Sequence, residues 1–135
     1  MLGPGTTTRA IGRSLGLKTT LLGVDLVQGS KLLASDAGEQ DILRITKNRS
    51  AKIVVTPIGG QGHILGRGNQ QLSPTVLKKI GVNNLIVIAT PQKIASLPDH
   101  MLTVDTGCPE LDTTLAGYIR VVTGWRREIA CPVAI

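Results

Sequence analysis

The chain has 135 residues, 41% of them hydrophobic, which suits one soluble domain able to bury about two-thirds of its unfolded surface. Its longest apolar run, Leu85 to Ala89, is far short of the ~20 residues a membrane helix needs, and no basic flank leads into an apolar core at the N-terminus; a cytoplasmic address is expected. Fifteen basic and nine acidic residues leave a formal charge of +6, which favours anionic partners such as nucleotides or phosphorylated metabolites, while a chain with only Tyr118 and Trp125 has few platforms for stacked bases, so nucleic acid is not expected.

The first predicted element follows a glycine loop. Gly3-Pro4-Gly5-Thr6-Thr7-Thr8-Arg9 runs into a helical pattern carrying Ala10, Ile11 and Leu15, with Thr6 or Thr7 as its cap. Threonine hydroxyls, unpaired N–H groups and Arg9 make this an anion site, or simply a capped helix. Such loops are usually fed by a strand, and only Met1 and Leu2 precede this one, so the chain is expected to be cut: a fragment, a split gene product or a domain boundary placed at the loop.

Thr20 to Val27 reads as a short buried strand interrupted by Gly23. Asp25 within it needs a partner: backbone N–H groups in a turn, or a ribose hydroxyl or magnesium-bound water in a cleft. Lys31 to Ser35 continues or pairs with it across Gln28-Gly29-Ser30, and Glu39 to Lys47 forms a helix with acids early and Lys47 late, matching the helix dipole.

Lys52 to Thr56 is a β-branched strand ending at Pro57, and a long loop runs from there to Pro74 with five glycines: Gly59, Gly60, Gly62, Gly66 and Gly68. Glycine lets backbone approach a ligand closely, and Arg67, Asn69, Gln70 and Gln71 add polar groups, so the loop has the layout of a phosphate-handling segment. A mobile surface loop is the alternative. Ser73 then caps a helix with Pro74 in its first turn and Gly81 at its end, and Thr90-Pro91 repeats the device after the apolar strand Leu85 to Thr90, which is expected to be covered on both faces. Met101 to Thr106, Tyr118 to Thr123 and Glu128 to Ile135 supply further strands. The whole is expected to be one domain, 1–135, of mixed layered α/β type with short helices and a β-rich C-terminal part.

Chemistry-bearing patterns are few. Cys108 and Cys131 show no zinc or redox spacing and read as free thiols that pair only if the fold brings them together. His63 and His100 lack partners at metal-ligand spacing, so no metal site is expected. Asp105-Thr106-Gly107 after a strand is the local signature of an aspartic protease, but the helix–strand alternation is unlike that all-β fold and a strand-ending turn fits better. Neither a serine nucleophile elbow nor a Gly-Lys-Ser/Thr phosphate loop is present.

Five blocks together resemble a known family: Gly3 to Arg9, Leu22-Gly23-Val24-Asp25, Thr56-Pro57-Ile58-Gly59-Gly60-Gln61-Gly62, Gly66-Arg67-Gly68-Asn69-Gln70-Gln71 and Val104-Asp105-Thr106-Gly107 look like the carboxy-terminal half of the ATP-NAD kinase-like family. The branch includes ATP-NAD kinases and an acetoin-catabolism protein. The resemblance implies phosphate transfer from ATP, or polyphosphate, to the ribose of NAD, with magnesium, often in a homo-oligomer. It also implies an amino-terminal lobe, in cis or in trans, bearing a Gly-Gly-Asp-Gly motif. Here Gly59-Gly60 is followed by Gln61, so no catalytic residue carries over; the chain alone is expected to be catalytically incomplete, the lobe of a split enzyme or a non-catalytic dinucleotide-binding module. The nucleotide-binding residues implied are Gly3, Gly5, Thr6, Thr7, Asp25, Gly60, Gly62, Arg67, Asn69 and Gln70.

Overall fold

A computed structural model describes residues 1–135. Helix α1 (Thr6–Ser14) follows the first glycine loop, and strands β1 (Leu26–Gln28) and β2 (Lys31–Ala34) form a small antiparallel hairpin across Gly29, which sits at φ 59° as a tight turn requires. Helix α2 (Glu39–Ile45) leads to β3 (Ile53–Val55), then β4 (His63–Leu65), α3 (Pro74–Ile80), β5 (Leu85–Ile88), α4 (Pro91–Ser96), β6 (Leu102–Val104) and α5 (Pro109–Leu115). The long hairpin β7 (Gly117–Gly124) and β8 (Arg127–Ala134) closes the chain.

Six strands form one mixed sheet in the order β3-β5-β7-β8-β6-β4. The strands β3, β5 and β7 are mutually parallel, as are β8, β6 and β4, and the antiparallel β7–β8 pair joins the two halves at the centre. The mixed α/β architecture with a β-rich end agrees with the expectation. Beyond β3 the N-terminal residues extend the edge: Gly3 N–H donates to Val54 O at 2.8 Å and Val54 N–H to Met1 O at 2.9 Å, so Leu2 runs parallel to β3 and bridges on to Asp25. The core gathers Ile53, Val55, Val87, Val121, Leu102 and Val104 from the sheet with Ile42, Leu77, Ile94 and Leu111 from the helices.

The helix starts that local chemistry predicted are present. Ser73 Oγ accepts from Val76 N–H at 3.3 Å and Thr90 Oγ1 from Lys93 N–H at 3.1 Å, each with proline in the first turn. Three expectations need correction. Thr20 to Val24 is not strand, because the Asp25 carboxylate draws Thr20 N–H and Oγ1 into a turn and leaves extended backbone only from Leu26. The span from Thr56 to Pro74 is not one loop: His63–Leu65 forms β4 at the far edge of the sheet, beside β6. In β5 only Val87 is fully buried, so the strand is not covered on both faces along its length.

Candidate functional site

Three parallel extended segments, Leu2, β3 and β5, end side by side, and each is followed by a loop built from glycine, threonine or proline. The loops after them, Pro4 to Thr7, Thr56 to Gly59 and Thr90 to Lys93, line a cleft of about 560 Å³. Carboxyl ends of parallel strands are where open α/β sheets place their ligands, because the loops there are held by the sheet and left unpaired above it.

The first loop is fixed by a buried hydroxyl. Thr8 Oγ1 lies 2.6 Å from Gly3 O and 3.1 Å from Gly5 O and donates into the loop, locking its bend. Helix α1 is entered from Gly5, at φ 127°, and not from a threonine cap as expected; no side chain caps its first turn. The N–H groups of Thr6 and Thr7 and the positive end of the helix dipole are therefore left without a side-chain partner at the cleft. Lys93 is the one charged side chain on the wall, and its Nζ donates to Gly59 O at 2.9 Å. Beside the Gly5 loop, whose Gly5 N–H donates to Leu21 O at 2.8 Å, Leu21 and Leu22 add apolar lining, with Leu22 80% exposed to solvent. Free N–H donors and an ammonium beside exposed leucine suit an anionic ligand with an apolar part.

Of the residues expected to bind nucleotide, Gly5, Thr6 and Thr7 lie on this cleft. Gly3 is buried against β3 through its bond to Val54. Asp25, 1% exposed, accepts from Thr20 and from Asp36 N–H at 2.9 Å, so the turn is realised and not a ribose or magnesium contact. Asn69 is fully buried within its own loop: Nδ2 donates to Ile64 O at 2.9 Å and Oδ1 accepts from Gly66 N–H at 3.1 Å. Arg67 pairs with Asp105 at 3.2 Å on the exposed surface, and Asp105-Thr106-Gly107 follows the end of β6 as a strand-ending turn. Gly62 packs against Leu97, while Gly60 and Gln70 are exposed away from the cleft wall.

Sequence reasoning missed Leu21, Leu22, Thr90 and Lys93 as neighbours of the first loop. Only the recurrence of Thr-Pro after two strands, at Thr56-Pro57 and Thr90-Pro91, hinted that those ends belong together. No three His, Cys, Asp or Glu side chains are grouped to hold a metal ion, and the cleft wall carries no carboxylate, so its residues do not fit magnesium. No helix is long and apolar enough to cross a membrane. Cys108 and Cys131 are both free thiols.

Fold and cleft together define an α/β domain that presents donor-rich loops at the ends of parallel strands. The chain belongs to the ATP-NAD kinase C-terminal domain family, whose model matches residues 1–132. Comparisons with curated proteins and with solved structures gave no match.

Proposed function

We propose that this chain is the nucleotide-binding lobe of an NAD kinase-like enzyme that phosphorylates NAD to NADP, with ATP or polyphosphate as donor. The observation that carries the reading is the meeting of the Gly5 loop and the Thr56–Gly59 loop in one cleft floored by Lys93. In this reading the N–H groups of Thr6 and Thr7 and the Lys93 ammonium hold phosphate oxygens, and Leu21 and Leu22 cover an apolar face of the bound nucleotide. What these residues supply is position and charge, which is most of what phosphoryl transfer asks of a protein.

The chain contains no Gly-Gly-Asp-Gly, so the group that activates the acceptor hydroxyl comes from an amino-terminal lobe, in cis or as a separate polypeptide. The same observation supports a second reading, a module that holds a dinucleotide without turnover. Incubating the purified chain with ATP, NAD and magnesium, with and without the amino-terminal half, separates the two. NADP formed only with both halves supports the lobe. Binding without turnover in either arm supports the module, and absence of dinucleotide binding to the chain and to the combined halves would remove both.

A further inference from the structure

A second concavity lies at the opposite end of the same strands. Lys52 immediately precedes β3 and Asn84 immediately precedes β5, whereas the cleft residues Thr56 and Thr90 follow those strands. Lys52 is joined there by Lys47 and Arg49 from the segment after α2 and by Lys79 from α3, around a hollow of about 760 Å³. No carboxylate lines it, and none of its four cations takes part in an ion pair.

Two of the ammonium groups are held in place. Lys52 Nζ donates to Asn84 Oδ1 at 2.8 Å and Lys79 Nζ to Leu43 O at 2.8 Å. A lysine has three donors, so each of these retains N–H groups for a ligand, and the Ser50 hydroxyl stands among them. All four cations are solvent-exposed, so their mutual repulsion is partly screened, and a bound anion would relieve what remains. The hollow falls within the volume range of small-molecule sites, all four cations border it, and neither Tyr118 nor Trp125 lines it for base stacking.

We propose that this hollow is a second anion site, separate from the cleft, which binds a small molecule bearing clustered phosphates. Its existence does not depend on the function proposed for the cleft. The 135-residue chain, titrated with inorganic triphosphate by calorimetry and by amide chemical shifts, gives saturable binding with the largest shifts between Thr46 and Lys52 and at Lys79 and Asn84. The double variant K52Q/K79Q binds about tenfold more weakly. The control R13Q/K18Q, which removes the same charge from exposed positions outside the hollow, binds as the parent does. Thermal midpoints of both variants are compared with the parent to confirm the fold. Equal weakening in both double variants, shifts confined to Gly5, Gly59 and Lys93, or no saturation overturns the site. A single-stranded oligonucleotide that occupies the same residues more tightly than triphosphate overturns the small-molecule assignment.

Discussion

Gly5 and Thr56 are in such close approach that a Cβ added to Gly5 would lie 2.5 Å from Thr56 Cγ2. This contact is the seam where two loops, distant in sequence, close on one another above the edge of the sheet. It rests on the absence of a side chain and on a backbone angle of φ 127° that L-residues rarely adopt.

Substituting Gly5 by alanine therefore separates the loops. The expected cost is about 1–3 kcal/mol of stability from backbone strain and overlap. Nucleotide binding should fall further than stability does, because the cleft itself is pushed open. A folded G5A chain that binds NAD as the parent does would argue against the seam as part of the site.

Lys93 lends the cleft its only full charge. Replacing it with glutamine keeps most of the side-chain volume and removes a charge-assisted bond, so affinity for NAD or ATP is expected to drop about tenfold. The thermal midpoint should hardly move, since the Nζ to Gly59 O contact is exposed. A large loss of stability with unchanged affinity would reassign Lys93 to structure.

Asn69 and Asp25 should behave in the opposite way. Each is buried and satisfies backbone groups, Asn69 those of its own bend and Asp25 those of Thr20 and of Asp36 beyond the hairpin, so N69A and D25A leave donors or acceptors unpaired in the interior. A loss of about 1–3 kcal/mol is expected for Asn69 and at least as much for Asp25, read from urea midpoints. Neither side chain lines the cleft, so nucleotide affinity of the folded fraction should fall less than in K93Q, and any loss in D25A comes through the turn that carries Leu21 and Leu22. The exposed Arg67–Asp105 pair provides the contrast, and R67A should change stability by less than about 1 kcal/mol.

Burial pushes the Cys131 thiol above its ordinary value of 9.0, against a smaller lowering by a backbone hydrogen bond. The folded chain thus keeps this proton at pH values where the unfolded chain has lost it. Stability from this group is complete below the ordinary thiol range and declines as pH rises from there toward the folded value. Urea midpoints should fall as pH rises above the ordinary thiol value of 9.0 in the parent, and less steeply in C131A. A disulfide-exchange reagent should label the half-buried Cys108 first and Cys131 only on unfolding.

Local chemistry wrote some of this molecule legibly. Ser73-Pro74 and Thr90-Pro91 start helices because a hydroxyl satisfies an orphan N–H and proline needs none, and Gln28-Gly29-Ser30 turns because glycine accepts positive φ. The glycine run after Thr56 was harder. Gly66 has its place because a Cβ there would collide with the backbone of Asp105, a packing reason invisible without β6 beside β4. Asn69 looked like a ligand group in sequence and is in fact the clasp of that bend.

Sequence by itself determined the family blocks, the surplus of positive charge, the helix starts and the two glycine-rich turns, all of which depend on neighbours a few residues away. Tertiary structure alone decided which turns meet. The strand order sets β3 and β5 together, so Gly5, Thr56 and Lys93 share a cleft, while it carries β4 to the opposite edge, and the loop after β4 brings only Gly68 back to the cleft wall. Strand pairing joins residues far apart in the chain, and hydrogen-bond geometry across a sheet is not encoded in any short stretch of side chains.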